Sequence, residues 1–179
     1  MNIFYLHKDP KIAAQYHCDK HVIKMILESA QLLSVAHRVL DGEEGVKLSS
    51  NGRKLKTWVL PDWREDVLYQ VSHYNHPCAI WVRESQANYY WLECLLKHLY
   101  NEYTERYNKV HLTQIKLEDA LLFPPDNLVK REFTEPPQAM DLYPQCKVPG
   151  DVVQAYRNYY REIKADIAVW KYSPKPYWY

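Results

Sequence analysis

Five ionisable residues, His17, Lys20, His21, Lys24 and Glu28, recur along one stretch at the spacing of a helix face. With an advance of about 100° per residue, the last four fall within about 60° of His17. Val22, Ile23, Ile26, Ala30 and Leu33 take the other side. Two histidines and two lysines stacked before one glutamate are poor i, i+4 charge pairing. Clustered bases lower one another's pKa, which suits proton transfer or amine chemistry near neutral pH. The plainer alternative is a solvated helix face. Asp19 falls on the apolar side. It either ties a neighbouring helix or the first strand, or acts as a partly buried acid or the orienter of a histidine. His17 and His21 also have the spacing of two metal ligands. Lys20 and Lys24 would repel a cation there, so neither a metal nor another cofactor is expected.

Two further clusters carry binding chemistry. Asn75-His76-Pro77 precedes Trp81, Arg83, Asn88 and Tyr89. A His-Pro turn fixes the backbone ahead of a helix, the helix start favours anions, and Arg83 adds a planar cation. The alternative is a capped helix with a core tryptophan. Near the C-terminus, Arg157, Arg161, Lys164 and Lys171 share one side of a helix flanked by Tyr160. The tail WKYSPKPYWY, with Trp170 and Tyr172, interleaves aromatics and lysines. Such a surface stacks bases and touches phosphates; it packs a tail onto a core equally well.

The elements that must position these residues are mostly helical. Asp9-Pro10 reads as an N-cap and first helical position. No glycine or proline follows from Lys11 to about Leu40, so one long helix is expected there. A short extended segment at 2–7 precedes it. Asn51-Gly52 signals a hairpin near 46–57 that is basic throughout, with Lys47, Arg53, Lys54 and Lys56. Shorter helices are expected over WREDVLYQVSH, over 78–107 with a kink near Ser85, over 113–122, and over 151–171. The last has the stripe Val153, Tyr156, Tyr160, Ile163, Ile167 and Trp170. Residues 124–150 are proline-rich and read as an irregular connection. The fold class is therefore mostly α: a single compact helical domain over 1–179, with a short N-terminal extended segment and one hairpin.

The chain has 179 residues and a net charge of +1. That balance excludes a strongly basic nucleic-acid coat protein but leaves room for a local basic face. Only four glycines occur, too few for a many-turned β sandwich. No run reaches the ~18 apolar residues of a membrane span. The start MNIFYLHKDP lacks the pattern of a signal peptide. A cytoplasmic location is expected, with Cys18, Cys78, Cys94 and Cys146 as thiols.

In this order, the pieces resemble the pyrimidine-dimer DNA glycosylase superfamily, the endonuclease V type found in phages. The likeness rests on a short segment running into a helix at Gln15–Met25, and on the turn at 75–77 leading into Trp81 and Arg83. It continues in a helix ending in Glu102, Arg106 and Tyr107, and in the aromatic-lysine C-terminus. The resemblance implies an all-helical domain that embraces duplex DNA and flips a nucleotide. It implies cleavage of the N-glycosidic bond, then nicking of the abasic strand, with attack by a free N-terminal amine assisted by a helix glutamate. The sequence departs from this pattern twice. Asn2 is bulky, so the initiator methionine is expected to stay and the amine to lie on Met1. Asp19, His21 and Lys24 stand where an acid followed by a base is expected, with Glu28 one to two turns later. Either the amine chemistry is lost, or Lys20 or Lys24 replaces the amine.

Glycosyl transfer needs a group that stabilises an oxocarbenium-like sugar and one that helps the base leave. Asp19 or Glu28 suits the first, His17 or His21 the second. The leading expectation is a DNA glycosylase on duplex DNA. A His/Lys-dependent phosphodiesterase or hydrolase of a small nucleotide and a non-catalytic nucleic-acid-binding module are the alternatives. Removal of Lys24 or His21 is expected to abolish activity and leave folding intact.

Overall fold

A computed structural model describes residues 1–179. Ile3, Phe4, Tyr5 and Leu6 lead the chain directly into the core. Asp9 then caps α1 (Pro10–Tyr16), its carboxylate accepting from the Lys11 and Ile12 amides. Pro10 sits in the first turn, where a missing N–H costs nothing.

The long helix expected over Lys11–Leu40 is broken. α1 ends at Tyr16 and α2 spans Asp19–Asp41. Between them His17 and Cys18 are extended, with ψ of 132° and 161°. Neither residue is a helix breaker; the break is held from outside. Arg106 donates to the carbonyls of His17 at 2.8 Å and Gln15 at 3.1 Å. The Asp19 amide donates to the Val169 carbonyl at 2.9 Å. These bonds serve backbone groups that a continuous helix would have paired internally.

The hairpin is present and longer than expected. β1 (Glu43–Leu48) pairs antiparallel with β2 (Lys54–Val59), with Val46 opposite Lys56 and Leu48 opposite Lys54. Its connection runs from Ser49 to Arg53, closed by the Ser49 amide on the Arg53 carbonyl at 2.9 Å. Gly52 supplies the positive φ, +78°, that this turn requires.

Past the hairpin, only one short turn of helix, α3 (Arg64–Val67), forms where a longer one was expected. Arg38 explains the difference. Its side chain is fully buried and donates to the carbonyls of Trp58, Glu65, Leu68 and Tyr69, and to the Glu65 carboxylate at 2.5 Å. The chain wraps around this guanidinium instead of continuing as a helix. The kink expected near Ser85 is a full break between α4 (Pro77–Val82) and α5 (Gln86–Tyr107). Ser85 Oγ accepts from the Asn88 amide at 3.1 Å and starts the second helix. α6 (Leu112–Leu121) follows. The proline-rich stretch is irregular apart from a 3₁₀ turn at Pro144–Cys146. α7 (Val152–Ile163) stops short of the expected 171, leaving Ile167 and Trp170 on irregular chain.

α2 packs against α4, α5 and α6, and α1 against α5. One connected hydrophobic core draws residues from Ile3 through Trp178. The architecture is mostly α, with the hairpin as its one sheet. No helix is long and apolar enough to cross a membrane.

Candidate active site

The break after Tyr16 dismantles the strip. His17 lies outside α2, and α2 turns His21 inward; neither ring meets solvent. Ile23, placed in the core by the periodicity, is exposed beside Lys24 and Leu27. His17 Nδ1 must donate to the Ala13 carbonyl at 2.7 Å, so its Nε2 carries a lone pair, and that atom has no partner. Burial holds its pKa down to about 4. His21 Nδ1 shares a 2.5 Å hydrogen bond with Tyr160 Oη. The Phe4 ring covers it, centroids 4.4 Å apart. Burial first, then the charges of His17, Lys164 and Lys24, lower His21 to about 3. Both rings are buried, and burial is the first cause that lowers each pKa.

Asp19 is also buried and engaged. One carboxylate oxygen accepts from Arg106 at 3.1 Å, the other from the Lys171 amide at 2.7 Å. It ties α2 to α5 and to the C-terminal segment, which is the plainer of its two expected parts. Lys20, at the start of α2, is exposed.

The remaining strip residues meet the start of the chain. Glu28 Oε2 accepts from the Asn2 amide at 3.2 Å, and Oε1 lies 3.4 Å from Lys24 Nζ. The Glu28 side chain is 15 % exposed and that of Lys24 65 %. Asn2 Oδ1 accepts from the Tyr156 hydroxyl at 3.5 Å. The Met1 ammonium acts on His76. Burial, then that ammonium and His73, lower the His76 pKa, while Glu28 opposes them. His76 Nδ1 accepts from the Cys78 amide at 3.2 Å and so caps α4. An α-amine, a carboxylate, a lysine and an imidazole thus converge from the chain start, α2 and the turn before α4. Two of the three non-glycine residues with positive φ flank this group: Phe4 and His73, each at 52°. Such backbone costs about 1–3 kcal/mol and tends to gather at functional sites.

The two binding clusters fare differently. Trp81, Asn88 and Tyr89 are buried with their polar atoms already paired. Trp81 Nε1 donates to the Thr134 carbonyl, Asn88 bridges Trp81 and Thr134, and the Tyr89 hydroxyl donates to Leu121. Arg83 donates to the carbonyls of Tyr74 at 2.6 Å and Ala79 at 2.9 Å. These residues fasten the proline-rich connection and the 73–77 turn; Asn75 alone is exposed. In the C-terminal cluster, Arg157 lies over the rings of Tyr16, Tyr177 and Trp178 and donates to the Leu6 carbonyl at 3.1 Å. Arg161 donates to the Trp178 carbonyl at 2.8 Å. Trp170 Nε1 donates to the Tyr16 carbonyl, Tyr172 packs on Tyr107, and Tyr160 is fully buried. Lys164 lies over the Tyr159 ring. The arginines that read as phosphate contacts clamp the aromatic tail to the body.

A cleft of about 400 Å³ opens beneath that tail, between Tyr16, Glu102, Arg106, Tyr172, Lys175 and Tyr177. None of the strip residues lines it. Asn2, Phe4 and His73 are the positions the sequence reading missed. Their signal was weak: Asn2 is simply next to the amine, and positive φ at Phe4 has no sequence mark.

No curated protein and no solved structure matches the chain. A family model described as pyrimidine dimer DNA glycosylase matches residues 1–114. The matched stretch holds Met1, Lys24, Glu28 and His76, and stops before α7 and the aromatic tail. It spans well over half of the 179 residues, and on that ground the chain belongs to the pyrimidine dimer DNA glycosylase family.

Proposed function

We propose that the protein cuts an N-glycosidic bond of a pyrimidine dimer in duplex DNA, with the Met1 α-amine as nucleophile and Glu28 as the carboxylate that assists it. The observation that carries this reading is the bond from the Asn2 amide to Glu28 at 3.2 Å. It brings the first peptide unit of the chain to the middle of α2, against the one strip carboxylate that is neither buried nor committed to a buried arginine. The lesion comes from the family to which the chain belongs.

The chemistry follows from the groups. Attack at C1′ requires the nucleotide to be turned out of the stack, which is easier where pairing is already damaged. The amine lone pair bonds to C1′; the N-glycosidic bond breaks, and its electron pair leaves on the base, which takes a proton. Positive charge develops on the sugar in this step, and a carboxylate beside it is stabilising. Glu28 takes a proton from the attached nitrogen and passes it to the ring oxygen, which opens the sugar and leaves a protonated imine between Met1 and C1′. Loss of a C2′ proton from that imine expels the 3′ phosphate and nicks the strand.

Two candidate amines exist, and their placement separates them. The Met1 amine adjoins the peptide whose amide bonds Glu28 at 3.2 Å, whereas Lys24 Nζ is 3.4 Å from Glu28 as its ion-pair partner. Lys24 is also the solvent-exposed partner of Glu28. Borohydride added during reaction with a duplex carrying one dimer reduces the imine to a stable adduct. Peptide mapping is expected to find it on Met1. An adduct on Lys24 overturns the nucleophile; neither an abasic sugar nor a nick at the dimer overturns the glycosylase.

A further inference from the structure

The hairpin has Glu43 and Glu44 at its base, and beyond them residues 46–60 are the most basic stretch of a nearly neutral chain. No Asp or Glu occurs between Gly45 and Pro61, while Lys47, Arg53, Lys54 and Lys56 do. Lys56 is paired with Glu44 at 2.7 Å; the other three make no salt bridge. The register puts Val46, Leu48, Lys54 and Lys56 on one face and Lys47 and Leu55 on the other. Val46 is 63 % exposed and Leu48 68 %. A two-stranded hairpin with both faces in water is marginal by itself. This one is held at its base, where Trp58 is buried and meets the Tyr74 ring edge to face, centroids 5.0 Å apart.

We propose that this hairpin is a second contact with duplex DNA, set in a groove with its two faces toward opposite walls, Lys47 on one, Lys54 on the other and Arg53 at the tip, all on phosphates. The proposal rests on the DNA reading above. A two-stranded ribbon fits the roughly 12 Å major groove. Lysines along both strands discourage pairing with a strand of another protein, so a polyanion suits this surface better than a second copy of the chain. Its base adjoins the candidate active site: Tyr74 belongs to the same turn as His73 and His76, and the His76 amide bonds to the His73 carbonyl at 2.8 Å. α2 sets the reach. From Glu28 to its end at Asp41 the rise is about 20 Å, or about six base pairs at 3.4 Å each. The hairpin therefore meets DNA about six base pairs or more to one side of the lesion.

The test uses the full chain and two 30-base-pair duplexes, one undamaged and one with a central dimer. Affinity is measured between 50 and 200 mM salt for the wild type and for the variant Lys47→Ala/Arg53→Ala/Lys54→Ala. Each phosphate contact contributes about 0.9 to the logarithmic salt slope. Loss of three makes the fall in affinity over this range about 40-fold smaller in the variant. Shortening one arm of the dimer duplex to four base pairs is expected to erase the difference between the two proteins, and shortening the other arm to preserve it. A control, Lys109→Ala/Lys116→Ala/Lys130→Ala, changes the same charge at exposed positions elsewhere. An equal slope change in this control, or an unchanged slope in the hairpin variant, overturns the proposal. So does hairpin-dependent binding of RNA with none of DNA. Hairpin-dependent duplex binding without an abasic sugar or a nick at the dimer keeps the hairpin and removes the glycosylase reading. Absence of any duplex binding by the wild type removes both.

Discussion

Lowering the pH from 7 to 5 should cost this fold about 6 kcal/mol through three histidines. His17, His21 and His37 are held at about 4, 3 and 4, against 6.5 for a free imidazole. Each binds its proton more readily in the unfolded chain, so stability rises with pH across the interval between the two values. The contribution is complete above 6.5 and is lost as pH falls below it, down to the folded pKa. At pH 5 an unfolded histidine is almost fully protonated and the folded one almost fully neutral. The penalty is then set by the gap of 1.5 units between 6.5 and 5, about 2 kcal/mol per residue. It is the same for a folded pKa of 3 or of 4. His76 and His111, also lowered, act in the same direction. Carboxyls held low in the fold, such as Asp41, Asp62 and Glu65, lose their contribution only nearer pH 4 and leave this window to the histidines. Urea unfolding followed by tryptophan fluorescence at pH 7 and pH 5 measures the change. A typical domain has 5–15 kcal/mol in all, so much of the stability disappears without any carboxyl titrating. The variant His21→Leu should lose about 2 kcal/mol of that pH dependence. An undiminished dependence in His21→Leu would mean that the folded protein protonates His21, and the ring could then act as the acid that the sequence suggested.

Asp19→Asn should lower stability by about 3 kcal/mol by uncoupling a buried ion pair, while the folded fraction incises dimer DNA at the wild-type single-turnover rate. A collapse of that rate with folding intact would return Asp19 to the chemistry. Glu28→Gln should slow glycosidic-bond cleavage by about 10²- to 10⁴-fold with dimer-duplex affinity retained, and one added residue before Met1 should eliminate the borohydride adduct on Met1. Arg157→Ala should release the C-terminal tail, seen as rapid proteolysis after residue 170 in a protein whose stability falls by about 1–3 kcal/mol. Persistent protection would show that the tail is held by its aromatic packing alone.

Much of the helical content is legible from local signals, because caps and turns act within a few residues. Asp9-Pro10, the His76-Pro77 turn, Ser85 and Asn51-Gly52 all mark boundaries that the structure keeps. The misreadings share a cause: a buried arginine that recruits backbone carbonyls from far along the chain. Arg106 opens the helix at His17 from 89 residues away, and Arg38 suppresses the helix after Trp63 from 31 residues before Tyr69. Composition counts such an arginine as surface charge, and no local window connects it to the carbonyls it serves. The break takes His17 out of the frame of α2; His21, Ile23 and Lys24 stay in one helix, where packing of the first residues and Tyr160 on His21 buries a polar ring and leaves Ile23 exposed. Arg157 and Arg161 were read as a phosphate stripe for the same reason, since their carbonyl partners at Leu6 and Trp178 are invisible in sequence.

The buried histidines still bear on the candidate chemistry, by way of the backbone. A nucleophile at a chain end is useful only if the end is held, and the first residues of a chain usually fray. Here Ile3 through Leu6 are buried, and Phe4 is pinned in left-handed backbone that a bulky residue rarely adopts. Its ring lies within about 6 Å of His21, Tyr156, Tyr159 and Tyr160. A charged imidazole at position 21 would have to be solvated, and Phe4 is one of the rings that cover it. His21, bonded to Tyr160, therefore serves as the floor on which residues 3–6 rest, with Phe4 two residues from the amide that meets Glu28. His21→Ala should thus act on Met1 through Phe4. It should weaken the fold as well as the reaction, where the helix-strip reading expected the reaction alone to suffer.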